Sequence, residues 1–304
     1  MRAINDEQPD TNTAGPDHSA AGESPRPAWR ALLRELAVRP SKGLGQHFLT
    51  DRAIVARIAD AARLAPGDTV VEVGPGLGIL TGELLARVGA GGRVVAVEVD
   101  RRLAAYLRAE YAGRPALTVV EADVLSRPPE ALVPGNAPYA LVANLPYSIT
   151  SAVFRHFLDS PRRPAALVVM VQREVAERIV ARPPAMSILA VAVQFYGDPA
   201  IVLRVGRGAF LPPPKVESAV LRVPIHAPPL PPDEIPAFFA LVAAGFGQRR
   251  KQLLNSLAAG LGLPKATLLP ALDAAGIAPT RRAETLAVAD WLALHARLRP
   301  PVTP

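Results

Sequence analysis

Two segments of the chain combine residue type and spacing in a way that could do chemistry. The first is Val71-Glu72-Val73-Gly74-Pro75-Gly76-Leu77-Gly78. Glycines at a strand–helix turn let the backbone approach a ligand closely and adopt positive φ. Glu98 follows 24 residues after Gly74, at the expected end of the next strand, where a carboxylate can accept both hydroxyls of a ribose. A tight strand–helix connection would explain the glycines alone. Strand, glycine turn, helix, strand and acid in that order point to an adenosine-containing cofactor. The spacing is Gly-x-Gly-x-Gly, whereas the dinucleotide fingerprint is Gly-x-Gly-x-x-Gly. Pro75 also removes a backbone donor that a pyrophosphate could use. Both features lean away from NAD and towards S-adenosylmethionine, whose tail carries no phosphate. No Gly-Lys-Ser/Thr follows, which excludes a P-loop.

The second segment is Asn144-Leu145-Pro146-Tyr147, directly after the apolar run 140–143. It therefore falls at the carboxyl end of a strand, where open α/β sheets bind ligands. An exocyclic adenine amine is a poor nucleophile because its lone pair is delocalised into the ring. Acceptors aimed at its two N–H bonds steer that lone pair out of the plane. The Asn144 side-chain oxygen and a backbone carbonyl near Leu145 could do this. Pro146 fixes the turn, and Tyr147 offers a flat face for a base to stack on. No strong base is required, since a methyl sulfonium is already activated. A strand ending in a proline turn with a buried Tyr is the plainer alternative.

These residues need a scaffold that brings strand ends together, and the hydrophobic pattern supplies one. Strands are expected at 69–73, 93–99, 117–120, 139–143 and 165–171, with helices at 51–64, 77–88, 101–111 and 151–158. That alternation predicts a doubly wound, mostly parallel α/β sheet of Rossmann-like type. A proline-rich stretch, 212–236, has room for one more strand at 218–223. From Ala237 every apolar run has helical period. The chain therefore divides into a tail at 1–27, an α/β domain at 28–228 and a small all-α domain at 229–304. A short amphipathic helix is expected from Trp29 to Val38.

Composition narrows the function classes. Cysteine is absent from the 304 residues, which rules out disulfides, thiolate zinc and iron–sulfur sites. No two of the five His residues sit at a metal-ligand spacing, so no metal is expected. The longest uncharged run, 131–154, is broken by Pro134, Pro138 and Pro146 and is not expected to span a membrane. The N-terminus does not read as a signal peptide, and a cytoplasmic location is the natural expectation. Net charge is +7. The tail, expected to be disordered, holds five acids against two arginines, or −3, which leaves +10 on the remainder. Such a surplus favours an anionic partner, nucleic acid before membrane.

In this order the motifs resemble the ribosomal RNA adenine N6,N6-dimethyltransferase family of small-subunit enzymes. The resemblance covers about residues 40–298. It rests on Gly45-Gln46-His47-Phe48-Leu49, the 72–78 turn, Glu98, Asp123 and Asn144-Leu145-Pro146-Tyr147, followed by Gln172-Arg173-Glu174-Val175-Ala176, 210–218 (Phe-Leu-Pro-Pro-Pro-Lys-Val-Glu-Ser) and Phe246-Gly247-Gln248-Arg249-Arg250-Lys251. The family implies a class I S-adenosylmethionine-dependent methyltransferase fold. It implies that His47, Leu49, Gly74, Gly76, Glu98, Asp123 and Asn144 line the cofactor site, with Glu98 on the ribose and Asp123 on the cofactor's adenine. It further implies that Asn144 and the Leu145 carbonyl hold the target amine, on the turn fixed by Pro146, and that Tyr147 and Phe210 sandwich the base. His47 as a polar loop residue, Asp123 as a turn or cap residue and Phe210 as core are the alternatives. Gln248, Arg249, Arg250 and Lys251, expected to begin or lie on a helix, would form a positive ridge along RNA phosphates, with Arg101-Arg102 and Arg281-Arg282 adding to it. The expected substrate is 16S rRNA in the immature 30S particle, dimethylated on two adjacent adenines of its 3′-terminal hairpin by a monomeric enzyme. A 23S rRNA methyltransferase of the macrolide-resistance type is one alternative. A non-catalytic ribosome-assembly factor is another.

Overall fold

The computed structural model describes residues 26–38, 46–133, 135–248 and 250–298. Among the described residues, nine strands form two sheets. The main sheet holds β2 (Thr69–Val73), β3 (Arg93–Glu98), β4 (Leu117–Glu121), β5 (Tyr139–Asn144), β6 (Ala166–Gln172), β7 (Ala200–Val205) and β9 (Ser218–Pro224), in the order β4-β3-β2-β5-β6-β9-β7. Pairings from β4 to β6 are parallel, while β9 runs antiparallel to both β6 and β7. The small sheet pairs β1 (Phe48–Leu49) with β8 (Phe210–Leu211).

The central strands carry Val, Leu and Ala on both faces because helices cover both sides; Val70, Val71, Leu141 and Val142 are fully buried. The connecting helices start where their caps dictate. The Asp51 side chain accepts the Ile54 N–H at the head of the Arg52–Ala61 helix. Asp100 accepts the N–H groups of Arg102 and Leu103 at the head of the Arg101–Glu110 helix. Glycines flank the Ile79–Val88 helix, Gly78 at its head and Gly89 at its end.

Beyond the sheet, helices Ile235–Phe246, Leu253–Leu261, Lys265–Ala274 and Val288–Leu298 share one apolar cluster with one face of it. That cluster runs from Val71, Leu141 and Val169 through Phe195 and Phe238 to Trp291. Phe195 and Phe238 stack with centroids 4.7 Å apart. Gly245 makes room for Trp291, since a Cβ there would lie 2.3 Å from the indole.

Several expectations need correction. Arg26 and Pro27 belong to a helix, Arg26–Glu35, because proline is tolerated in a helix's first turn; the rest of the expected tail lies outside the described residues. Between 173 and 211, where the sequence suggested nothing definite, stand helices Arg173–Val180 and Ile188–Gln194 and the strands β7 and β8. Ile188–Gln194 is an almost unbroken apolar run, whose type periodicity cannot decide. The run from Gln248 to Lys251 lies on no helix: it connects Ile235–Phe246 to Leu253–Leu261, and of its residues Arg249 is outside the described set. The backbone turns there, the Lys251 N–H donating to the Gln248 carbonyl at 2.9 Å.

Candidate active site

Strands β2 and β5 lie side by side, with Val73 opposite Ala143. The residues that follow, Gly74 and Asn144, therefore leave neighbouring strands together. This is the point where the strand order reverses direction, and where open sheets leave a crevice. A cavity of about 220 Å³ opens there, and both residues line it.

On the glycine side the backbone is set by positive φ: +66° at Gly74, +58° at Gly76 and +78° at Gly78. A Cβ at Gly74 would meet nothing within 4 Å and would project into free space. A Cβ at Gly78 would strike Leu107 at 2.6 Å. The Gly76 N–H donates to one Glu98 carboxylate oxygen at 3.0 Å, and the Asp100 N–H to the other at 2.9 Å. Glu98 is thereby fixed in direction, and each oxygen keeps a lone pair for a further donor. Burial raises its pKa, and these backbone bonds work against that rise. Asp123 lines the cavity, and its side chain caps the following turn by accepting the Leu125 N–H at 3.0 Å. His47 and Leu49 complete this wall.

Glu72, which sequence reading noted without assigning a role, also lines the cavity. It is 1% exposed and accepts the Thr81 hydroxyl at 2.6 Å. Burial pushes its pKa up to about 8, against the Thr81 bond and with the help of Glu98's charge. Among the described residues the lining contains three carboxyl groups and neither Lys nor Arg. That composition repels phosphate and suits a cation. It fits S-adenosylmethionine, with its sulfonium charge and phosphate-free tail, and Gly74 keeps clear the space such a ligand would fill.

On the opposite side, the Asn144 amide nitrogen donates to the His47 carbonyl at 3.0 Å. This bond fixes the amide's orientation and leaves its oxygen as the acceptor for a substrate N–H. The His47 ring packs on Tyr147 with centroids 5.9 Å apart and donates from Nδ1 to the Pro212 carbonyl at 2.8 Å. Tyr147 is half-buried, and its hydroxyl shares a 2.8 Å hydrogen bond with Ser218, which is fully buried at the start of β9. Burial raises the Tyr147 pKa, with the Ser218 bond opposing. The Leu145 N–H is held by the Met170 carbonyl at 3.1 Å, and the Pro146 carbonyl accepts the Ile149 N–H at 3.1 Å. Both residues line the cavity. Ser218, unassigned from sequence, ends the 210–218 motif, and that position was its only signal.

Phe210 does not face this cavity. It is 2% exposed, paired with Leu49 across the small sheet and packed with Val55, Ile58 and Val205. The expected sandwich partner of Tyr147 is a core residue in this conformation.

The ribosomal RNA adenine dimethylase family model matches residues 39–299. The chain belongs to the ribosomal RNA adenine dimethylase family. It is 47% identical over 264 residues to ribosomal RNA small subunit methyltransferase A of Dehalococcoides mccartyi, covering 86% of this chain and 89% of that protein. The protein of the same description from Moorella thermoacetica is 45% identical over 280 residues, covering 88% and 96%. Among solved structures, the 23S rRNA methyltransferase ErmE is 34% identical with a TM-score of 0.67, covering 83% of this chain and 99% of its own. A dimethyladenosine transferase from Plasmodium falciparum is 25% identical with a TM-score of 0.69, covering 82% and 96%.

The fold of this chain is that of a class I methyltransferase, its cofactor S-adenosylmethionine and its substrate ribosomal RNA. The basic run sits away from the cavity on the helical side. Gln248, Arg250 and Lys251 are exposed. No helix among the described residues is long and apolar enough to cross a membrane.

Proposed function

We propose that this protein dimethylates N6 of two adjacent adenines in the 3′-terminal hairpin of 16S rRNA during maturation of the small subunit, acting as a monomer in the cytoplasm. The observation that carries the chemistry is the Asn144 amide, pinned by the His47 carbonyl at the rim of the cofactor cavity. Bound S-adenosylmethionine supplies an electrophilic methyl group. The chain supplies everything else. An adenine extruded from its stack lies on Tyr147, whose hydroxyl is tethered to Ser218. The Asn144 oxygen and the Leu145 carbonyl take the amine's N–H bonds and turn its lone pair towards the methyl group. The apolar wall formed by Leu49, Val73 and Leu145 excludes water from the reacting centre. The exposed cations at 250–251, with Arg249 in sequence between them and Gln248, track the RNA backbone. The region 229–304 is the main RNA-binding region.

The choice of small subunit over 23S rRNA is supported by the higher identity to proteins named for the small subunit than to ErmE, 47% against 34%. Methyl transfer to immature 30S particles lacking the modification tests the reading, with modified positions mapped in both rRNAs. Label confined to paired adenines of the 16S 3′ hairpin is expected. Label in 23S rRNA supports the macrolide-resistance type of activity. Tight 30S binding with no transfer supports an assembly factor.

A further inference from the structure

The two most deeply buried carboxyls of the cofactor cavity are held differently. Glu98 receives two backbone N–H bonds, which favour its charged form. Glu72 receives the Thr81 hydroxyl. Among the described residues, the groups facing Glu72 from its neighbours bring no positive charge. Glu98 approaches from β3, and Tyr111, past the Arg101–Glu110 helix, feels the Glu72 charge while its own hydroxyl donates to the Gly78 carbonyl. On the β5 side Glu72 pairs with Val142. Two carboxylates in one mostly apolar cavity are costly to ionise together unless a cation arrives. Asp123 is exposed and stays solvated.

We propose that Glu72 reads the charge on the cofactor's sulfur: it is ionised when the sulfonium form is bound and takes up a proton when the neutral thioether product is left. Methyl transfer forms the N6–C bond and breaks the S–C bond. The electron pair stays on sulfur, and one proton leaves N6. The cavity loses one positive charge in that step, and protonation of Glu72 restores the balance. The site thereby favours incoming cofactor over spent product, and the preference grows with pH until Glu72 ionises in the product-bound protein as well. This inference rests on the assignment of the cavity to S-adenosylmethionine.

The test is calorimetric titration of the full-length protein with S-adenosylmethionine and, separately, with S-adenosylhomocysteine, in buffers of different ionisation enthalpy. At pH 7 a group titrating near pH 8 is mostly protonated in the empty protein, so binding of the sulfonium form releases close to one proton. Its Kd then rises by up to about tenfold per pH unit as the pH is lowered. The thioether releases none, and its Kd stays within about twofold over the same range. Glu72→Gln abolishes the proton release and lowers the preference for the sulfonium form by about tenfold. Thr81→Val removes a bond that favours the charged form and moves the midpoint upward while the proton count stays near one. Equal proton release by both ligands in the unaltered protein overturns the proposal without recourse to any variant, and so does undiminished release in Glu72→Gln. Failure of either ligand to bind at all refutes the cofactor assignment itself.

Discussion

Alanine at Gly74 and at Gly78 should fail in opposite ways, and the contrast separates a cofactor cradle from a mere chain reversal. Both positions have positive φ, +66° and +78°, so either substitution carries a backbone cost of roughly 1–2 kcal/mol. At Gly74 nothing lies within 4 Å of the new Cβ, so the empty protein loses only that amount, or about 2–8 °C of Tm at roughly 2–4 °C per kcal/mol for a chain of this size. The added methyl group, however, stands in the cavity. Overpacking against a bound ligand costs about 1–3 kcal/mol, which weakens cofactor binding by roughly 5–150-fold. At Gly78 the Cβ meets Leu107 at 2.6 Å and the Tyr111 ring at 3.0 Å. The backbone cost is joined by a core clash, so stability falls by roughly 2–5 kcal/mol. Gly78 is not among the residues lining the cavity, so the folded fraction should bind cofactor within about threefold of the unaltered protein, a difference of under 1 kcal/mol. Urea denaturation and calorimetry with S-adenosylhomocysteine measure both quantities. If Gly74→Ala binds as tightly as the parent, no ligand passes over that residue and the turn serves only to reverse the chain.

Two further outcomes are expected. Asn144→Ala should cut the rate of methyl transfer by about 10²–10³-fold, as loss of one preorganised hydrogen-bonding group does, while cofactor affinity stays nearly unchanged; equal loss of both, in single-turnover and binding assays, would contradict its assignment to the target amine. Arg250→Glu with Lys251→Glu should weaken rRNA binding and reduce the slope of log affinity against log salt by about 1.5–2. An unchanged slope would remove this turn from the RNA surface.

The sheet was legible because its strands are Val-rich runs between glycine or cap signals, and the parallel order follows from alternation with helices. The glycine side of the cavity was legible for the same reason: Gly74, Gly76, Glu98 and Asp123 each occupy a strand end or the turn after it, which local pattern locates. Asn144 also ends a strand. What local pattern lacked was contact between distant segments. The bonds from Asn144 to His47, from His47 to Pro212 and from Tyr147 to Ser218 span 97, 165 and 71 residues, and no periodicity reports them. Glu72 was visible as an acid beside the glycines, but its burial depends on Thr81 and on the neighbouring strands. The basic run looked helical because it abuts two helices, yet consecutive Gly247 and Gln248 already leave the first of them, and the second begins only at Leu253.

Phe210 shows how register can override a motif. In the two-residue pairing of β1 with β8, Phe48 lies opposite Leu211 and Leu49 opposite Phe210. Side chains alternate faces along a strand. Phe48 and Leu211 accordingly join a cluster with Leu33, Val38, Leu77 and Leu103, while Leu49 and Phe210 join the cluster of Val55 and Ile58 on the other side. A slip of one residue would exchange the two faces, but the register is locked on one side by the Thr50 N–H to the Ala209 carbonyl at 2.9 Å and on the other by His47 to Pro212. The same lock that buries Phe210 holds the His47 carbonyl where Asn144 needs it. Releasing the aromatic ring from this packing would therefore disturb the orientation of the Asn144 amide, and in this conformation Tyr147 lines the cavity while Phe210 stays in the core.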